Sequence, residues 1–178
     1  MKELALHILD VAENGITAGA DRICITVEED RAKNRMIIII EDNGQGVPED
    51  VMKRITDPFY TTRTTRRVGL GLSLFENTAR QCDGSMTVAS EPGQGTRVTA
   101  TFAHDHIDRP PLGDMAGTLM TLVYSNPEGN IAYRYRSEGE KIVIDTQAVR
   151  EQFGNRPITD PLVFRHLMDQ IKQIPTER

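Results

Sequence analysis

The fold of this chain is built around the sequence Ile37-Ile38-Ile39-Ile40-Glu41-Asp42-Asn43-Gly44-Gln45-Gly46-Val47-Pro48. Its run of β-branched apolar residues predicts a buried strand, and the acid and two glycines after it predict a sharp turn. Because Asp42 can accept a hydrogen bond from an exocyclic amine, and Gly44 and Gly46 carry no side chains, the turn suits a flat polar ring. A strand followed by an ordinary loop is the alternative.

Size and composition indicate a globular protein. The chain has 178 residues, enough for one domain with a core and a small appendage. Its 38% hydrophobic and 26% charged residues are ordinary for a soluble protein. The formal net charge of −5 argues against broad nucleic-acid binding.

The cysteines and the apolar runs bear on the cellular compartment. Cys24 and Cys82 are far apart and form no Cys-x-x-Cys pattern, so they exclude a zinc site and a disulfide scaffold and fit a reducing compartment. No signal peptide precedes the first amphipathic segment, and no apolar run is long enough to span a bilayer. We therefore expect a cytoplasmic protein that binds neither membrane nor nucleic acid.

Apolar residues recur at helical spacing over residues 2–15 and predict an amphipathic helix. His7, Asp10, Asn14 and Thr17 recur at spacings of three and four, so they share another face of this helix. That polar stripe is either solvated surface or the lining of a site. For a site, the carboxamide oxygen of Asn14 is a ligand that Mg²⁺ accepts, and Asp10, one turn earlier, could orient a water or help to hold the ion.

Two antiparallel hairpins are predicted from alternating polar and apolar residues. The first joins a strand over 22–29 to the isoleucine run through a polar connection over 30–35. The second joins strands over 85–90 and 96–103 through the turn Glu91-Pro92-Gly93-Gln94-Gly95.

The middle of the chain contains a second cluster of glycines. Pro48 begins a short predicted helix that ends near Ile55. Residues 57–67 are threonine-rich and basic, so they form either an ordinary surface loop or a mobile lid whose arginines face phosphate oxygens. Residues 68–74 run into a helix that ends near Cys82, and its initial glycines leave backbone N–H groups for an anion. The spacing matches neither the dinucleotide fingerprint nor a P-loop.

Residues 104–113 predict a linker, and the C-terminal segment after it carries no motif to which chemistry can be attached. The linker holds two histidines and two aspartates, but no second cluster completes a metal site. The elements predicted beyond it are a helix over 112–124, a hairpin formed by 131–136 and 141–145, and helices over 146–153 and 161–174.

Four short motifs stand in a fixed order: Asp10-x-x-x-Asn14, Asp42-x-Gly44-x-Gly46, Asp57-Pro58-Phe59 and Gly69-Leu70-Gly71-Leu72. Each motif alone is weak, but together, over about residues 3–103, they resemble the nucleotide-binding domain of the GHKL superfamily. Sensor histidine kinases, type II topoisomerases, mismatch-repair ATPases and heat-shock chaperones share that domain. Residues 58–63 and 90–96 look most like the histidine kinase branch, whereas residues 11–20 lean towards the mismatch-repair branch.

The resemblance implies an α+β fold, a two-layer α/β sandwich whose mixed, mostly antiparallel sheet carries helices on one face. It assigns residues 1–105 to an ATP-binding domain and leaves 106–178 as a small C-terminal α+β extension of unknown role. We expect the family's usual first strand to be missing and a sheet edge to be left open. We expect residues 110–174 to pack against the domain, with the hairpin at 131–145 covering an edge or serving a partner. An independent docking module and homodimerisation through the open edge are the alternatives.

The same resemblance implies a site for ATP and Mg²⁺. Asp42 would bind the adenine amine with Thr96 nearby, and Asn14 would coordinate Mg²⁺ together with the ATP phosphates. The other residues that the resemblance assigns to the nucleotide are Gly44 and Gly46 in the adenine pocket, Phe59, Thr61, Thr62 and Arg63 in the lid at 57–67, and Gly69, Leu70, Gly71 and Leu72 beside the phosphates.

The chain also departs from the family's patterns. Thr17 stands where kinases often carry a basic residue, and Arg67 stands where they usually have another glycine. Asp10 occupies the place of the glutamate that activates water in the ATPase branches, and it is one methylene shorter. We expect this chain to lack the helical hairpin that bears a kinase's phosphoacceptor histidine, and His7, on the nucleotide-facing helix, is a poor acceptor candidate.

Three functions are consistent with these residues. The first is a protein kinase that acts in trans on a His, Ser or Thr of a separate protein, in the manner of two-component signalling. The second is an ATPase switch in which Asp10 orients the attacking water and hydrolysis changes partner binding. The third is a non-catalytic module that binds ATP as a sensor or scaffold. Each of them requires a separate protein substrate or regulatory partner.

Overall fold

The protein is described by a computed structural model over residues 2–48 and 70–175. The helices of these residues are α1 (Leu4–Thr17), α2 (Leu70–Gln81), α3 (Met115–Ser125), α4 (Thr146–Gln152) and α5 (Pro161–Ile171). The strands are β1 (Arg22–Asp30), β2 (Arg35–Asp42), β3 (Ser85–Glu91), β4 (Gly95–Ala103), β5 (Asn130–Ser137) and β6 (Glu140–Asp145). The short helix predicted after Pro48 and the lid at 57–67 lie outside the described residues.

The strands form one mixed sheet in the order β3-β4-β2-β1-β5-β6. Neighbouring strands are antiparallel except for β1 and β5, which run parallel. The two predicted hairpins are confirmed, and the pairing of β2 with β4 joins them. The predicted fold, a two-layer sandwich with a mostly antiparallel sheet, is therefore confirmed.

The isoleucine run shows how the sheet acquires one buried face. Ile38 and Ile40 face the helices and are 0% and 2% exposed, whereas Ile37 and Ile39 point to the outer face and are half-buried. The inner face packs against apolar residues of α1, α2, α3 and α5 in one continuous core. Each fully buried side chain of this size stabilises the fold by about 1.5–3 kcal/mol.

The C-terminal hairpin completes the sheet next to β1. Strand β5 lies beside β1 in a register that places Tyr133 beside Ile25. Glu138 and Gly139, both with positive φ, then turn the chain into β6. The expectation that the hairpin at 131–145 covers a sheet edge is confirmed, because β5 pairs along the side of β1 that β2 leaves open. The division of the chain at residue 105 stays a prediction.

Residues 104–113 follow an irregular path that returns to the start of α1. The N–H groups of Leu4 and Ala5 donate to the carbonyl oxygens of Pro111 and Leu112 at 3.0 and 2.8 Å. These bonds satisfy two of the first-turn donors that a helix cannot satisfy internally. The segment thus holds the N-terminus of α1 in place.

By its spacing His7 shares a helix face with Asn14, but its side chain is buried. Position 7 is therefore not the solvated surface that is one of the two expectations for the stripe. Its ring stacks on Phe75 of α2 with centroids 5.0 Å apart, and its Nε2 lies 3.3 Å from Thr78 Oγ1. On an α-helix His7 stands only about 40° from Val11, so it turns towards the core and α2. Burial lowers the pKa of His7 to about 4, which keeps the ring neutral at physiological pH.

None of the helices within residues 2–48 and 70–175 combines the length and the apolar character needed to cross a membrane.

Candidate functional site

The centre of the candidate site is a direct contact between α1 and the end of β2. A Cβ added to Gly15 would stand 2.7 Å from Asp42 Cβ and 2.9 Å from Ile23 Cδ1, closer than real Cβ atoms approach. Glycine within a helix costs about 0.5–1 kcal/mol relative to alanine. Here the cost has a packing reason, because only glycine lets the helix lie directly against the residue that carries the carboxylate.

Asp42 ends β2 with a half-buried carboxylate. Its Oδ1 accepts a hydrogen bond from the N–H of Gly44 at 2.9 Å, which closes a tight turn. Desolvation raises the pKa of Asp42, and hydrogen bonds from the backbone of Gly44 and Thr96 partly oppose that rise. These bonds orient the carboxylate, and it retains capacity for a further donor, since a carboxylate accepts up to about four hydrogen bonds.

The turn after Asp42 is tied to the connection between α1 and β1. Asn43 Oδ1 accepts hydrogen bonds from the N–H groups of Asp21 and Arg22 at 3.1 and 2.9 Å, and its Nδ2 donates to Asp21 Oδ1 at 2.6 Å. Gly44 lies against the C-terminal end of α1, where an added Cβ would stand 2.9 Å from the Ala18 carbonyl oxygen. Glycine at position 44 is therefore required by this approach.

Gly46 brings the same turn against the β3–β4 hairpin. It has a φ of +67°, and an added Cβ would meet the Glu91 carbonyl oxygen at 2.0 Å. The neighbouring carbonyl of Gln45 accepts a hydrogen bond from the N–H of Gly93 at 2.8 Å. The predicted pocket glycine thus has a clear local role, since it lets two backbones meet at the wall of the site.

The hydroxyl of Ser90 joins three parts of the site. It accepts a hydrogen bond from the N–H of Val47 at 2.8 Å, donates to the carbonyl oxygen of Gly95 at 2.8 Å, and lies 3.0 Å from Thr96 Oγ1. Thr96 is itself the cross-strand partner of Asp42. Ser90 therefore links the segment after the glycine turn to the strand that carries Thr96.

The first and fourth motifs meet where α1 lies beside α2. Asp10 is half-buried and Asn14, one turn later, is exposed. A Cβ added to Gly71, in the first turn of α2, would stand 3.4 Å from Asp10 Cβ, which is ordinary contact. Leu72 packs against the core, and the N–H groups of Leu70 and Gly71 stand at the start of α2. Backbone donors therefore adjoin the Asp10–Asn14 stripe.

The structure brings together the predicted site residues that it describes, around the C-terminal half of α1. The predicted residues that lie outside the described ranges are Phe59, Thr61, Thr62, Arg63 and Gly69. Within residues 2–48 and 70–175, no group of three or more His, Cys, Asp or Glu is placed to hold a metal ion.

A shallow cleft of about 220 Å³ opens beside the end of β2. Its walls include Asp42 and Thr96 but also Glu41 and Arg97, which form an ion pair at 3.0 Å on the outer face of the sheet. Asp42 and Thr96 alternate with those two residues along their strands, and Asp42 contacts α1, so they face the helices. We therefore place the candidate site on the inner face and this cleft at the adjoining rim.

Sequence reasoning missed Gly15, Asn43 and Ser90 as residues that shape the site. Gly15 carried a usable signal, because an isolated glycine inside a strong helical pattern commonly has a packing reason. No such signal in the sequence marked Asn43 and Ser90, because their hydrogen-bond partners are distant in sequence and come near only in the folded chain. Both resemble ordinary turn and strand-end residues until the strands are paired.

Comparison with known proteins finds sensor proteins that are similar over this part of the chain. The chain is 35% identical over 104 residues to a putative sensor protein of Shewanella frigidimarina. It is 38% identical over 100 residues to the signal transduction histidine-protein kinase AtoS of Escherichia coli. These matches cover 57% and 56% of this chain but only 16% of each relative, so the chain corresponds to a small part of their length.

A solved structure and a family model extend the comparison. The N-terminal domain of a DNA repair protein covers 81% of this chain and 52% of its own chain, with a TM-score of 0.55 and 16% identity, which shows a shared fold. The family model for histidine kinase-, DNA gyrase B- and HSP90-like ATPases matches residues 2–106, more than half of the 178 residues. That range includes all four motifs, and the chain belongs to this ATPase family.

Proposed function

We propose that the chain binds ATP with Mg²⁺ between α1, α2 and the end of β2, and that it acts as a protein kinase in trans on a separate protein. The observation that carries the proposal is the half-buried carboxylate of Asp42, seated against Gly15 and bonded by Gly44 and Thr96. Membership of the ATPase family supports ATP as the ligand. The histidine kinase among the similar proteins supports phosphoryl transfer as the reaction.

The described residues fit an adenine base. Asp42 is oriented by its bond from Gly44 and has capacity for a donor such as an exocyclic amine. Thr96, whose hydroxyl lies 3.0 Å from that of Ser90, would lie beside the same base. The close approach at Gly44 leaves backbone instead of a side chain at the wall, which suits a flat ring.

The described residues also fit phosphates and a hard cation. Asn14 is exposed on α1 and would offer its carboxamide oxygen to Mg²⁺, which prefers oxygen ligands and usually shares them with phosphates. The N–H groups at the start of α2, at Leu70 and Gly71, would face the phosphates. When bound, the ion would neutralise phosphate charge.

We infer that the acceptor of the phosphoryl group lies on another protein. His7 is 0% exposed and stacked on Phe75, so it could accept a phosphoryl group only if α1 and α2 separated. Phosphoryl transfer depends mainly on positioning and charge neutralisation. Mg²⁺ held by Asn14, together with Arg63, Arg66 and Arg67 of the predicted lid, would supply both. The phosphoryl group would then pass to a His, Ser or Thr of the partner.

Asp10 favours a second candidate, an ATPase switch. Its side chain lies within contact distance of Gly71 at the start of α2, one turn before Asn14. A carboxylate in that place could orient a water for attack, although aspartate reaches one methylene less far than glutamate. A third candidate, a module that only senses ATP, needs neither a carboxylate that orients water nor a phosphoryl acceptor.

Labelled ATP distinguishes these candidates. The protein would be incubated with ATP labelled at the γ-phosphate, first alone and then with cell extract. A labelled partner that disappears in Asp42→Asn but persists in Asp30→Asn supports the kinase, because Asp30 lies at the opposite end of β1 and β2. Release of free phosphate that is lost in Asp10→Asn supports the ATPase instead. ATP binding with neither product contradicts both enzymes and leaves the sensor.

A further inference from the structure

The last strand of the sheet, β6, carries an exposed apolar residue at the edge of the sheet that faces away from β5. Within residues 2–48 and 70–175, no strand pairs with the side of β6 that faces away from β5. Val143, at the middle of the strand, is 52% exposed although it is apolar. An edge strand with exposed apolar residues is a template for pairing with another strand.

The hairpin geometry fixes which backbone groups point outward from β6. Glu138 and Gly139 both have positive φ, so they form a two-residue turn closed by hydrogen bonds between Ser137 and Glu140. Bonded and non-bonded pairs alternate from that closing pair. The N–H and C=O groups of Lys141, Val143 and Asp145 therefore point away from β5. The side chains of these three residues also share one face of the sheet, because alternate residues of a strand point to the same face.

We propose that β6 pairs antiparallel with β6 of a second copy of this chain, about a two-fold axis at Val143. In this register Val143 faces Val143, and Lys141 of each copy faces Asp145 of the other. Ile142 then lies opposite Ile144. The sequence Glu-Lys-Ile-Val-Ile-Asp is thus self-complementary in both charge and apolar character.

Other registers lose this match. A two-fold axis at Lys141 or at Asp145 places like charges opposite each other, which destabilises a strand pair. An axis at Ile142 or Ile144 places a charged residue of one copy opposite Val143 of the other. Among registers that align the outward backbone groups, the one centred on Val143 alone pairs opposite charges and leaves no charge facing an apolar residue.

The rest of the hairpin is compatible with this pairing. Asp145 Oδ1 accepts from the N–H groups of Gln147 and Ala148 as the N-cap of α4, and a carboxylate can still accept from a lysine. The pairing is isologous, so it closes with two copies. Because one short strand edge buries little area, the dimer is expected to be weak and to form in a concentration-dependent way.

A cysteine at the proposed axis tests the register. Residues opposite each other in a bonded antiparallel pair have Cα atoms about 5.5 Å apart, within the reach of a disulfide or a short thiol cross-linker. Val143→Cys should cross-link to dimer efficiently. Thr87→Cys, exposed on the opposite edge strand β3, is the matched control and should not. Both native cysteines are buried and do not compete. Equal cross-linking of the two variants would overturn the proposal.

Two further substitutions test the hydrogen bonds and charges without a cross-linker. Val143→Pro removes an outward N–H that β5 does not use, so it should weaken the dimer about tenfold or more in sedimentation equilibrium. Lys141→Glu should weaken it as well, and Lys141→Arg should not. None of these measurements involves nucleotide, so they are independent of the proposed kinase activity. A parent protein that stays monomeric at every concentration, or a dimer unaffected by Val143→Pro, would contradict the inference.

Discussion

Gly15 and Asp42 touch across the interface between α1 and β2, and position 15 has no room for a side chain. We predict that Gly15→Ala lowers the free energy of unfolding by about 1–3 kcal/mol, as overpacked sites commonly do. The loss should appear despite the higher helix propensity of alanine, because the methyl group must displace Asp42 or Ile23. Denaturant titration measures this loss of unfolding free energy. The affinity of Gly15→Ala for ATP should also fall, because Asp42 is displaced.

Gly71→Ala is the matched control for stability. An added Cβ there meets Asp10 Cβ at an ordinary 3.4 Å, so no displacement is needed. Alanine is favoured over glycine in helices by up to about 1 kcal/mol, and the variant should be as stable as the parent or more so. Similar losses in both variants would show that the contact with Asp42 imposes no special constraint.

The second prediction concerns Ser90. Removal of its hydroxyl in Ser90→Ala should weaken ATP binding about tenfold, because Val47, Gly95 and Thr96 lose their shared partner. Ser85→Ala is the control, since Ser85 lies at the other end of β3 and its hydroxyl pairs with Thr101 Oγ1 at 3.1 Å. Calorimetric titration that finds the same affinity for both variants would remove Ser90 from the site.

The third prediction concerns the pH dependence of ATP binding. Desolvation raises the pKa of Asp42 above its ordinary value of 3.8. An ionised carboxylate accepts a hydrogen bond from an amine more strongly than the protonated acid does, so ATP affinity should fall as pH falls through this raised pKa. The folding contribution has the opposite sign: the folded carboxyl binds its proton more tightly than the unfolded one, so this group stabilises the fold as pH falls. Asp42→Asn should lack both responses, and an unchanged pH profile in that variant would contradict the assignment.

The fourth prediction concerns stability and His7. The folded state lowers the pKa of His7 from 6.5 to about 4, so the unfolded chain takes up the proton first. The contribution of His7 to the free energy of unfolding is fully present above pH 6.5. It is lost as pH falls towards 4, by up to about 3 kcal/mol. His7→Phe keeps a ring against Phe75 and removes the titration. As pH falls from 6.5 towards 4, the unfolding free energy of His7→Phe should rise relative to that of the parent. A difference between the two proteins that stays the same at every pH would refute the mechanism.

Much of the fold could be predicted from local patterns. The alternation through Ile25 and Val27 and the isoleucine run predict the central hairpin, and the turn at Glu138-Gly139 lies between the two strands predicted from the tail. The parallel pairing of β5 with β1 could not be predicted, because residue alternation specifies which side chains share a face but not which strand lies alongside.

The candidate site was predictable through its motifs more than through its contacts. Asp42, Gly44 and Asn14 stand in the order that the ATPase family shares, so their meeting was expected. The burial of His7 was not, because position 7 borders both the polar and the apolar stripe of α1, and only the placement of Phe75 decides between them. The contact of Gly15 with Asp42 depends in the same way on how α1 lies across the sheet.

ATP is expected to bind against Asp42 on the inner face of the sheet. Isothermal titration calorimetry with ATP and Mg²⁺ should show binding to the parent protein and to Asp30→Asn, in which a carboxylate paired with Lys33 at the far end of the same hairpin is lost. Asp42→Asn should bind more weakly by about 1–3 kcal/mol, which is about 5- to 150-fold in affinity. Equal affinity of Asp42→Asn and the parent would contradict the binding of ATP against Asp42.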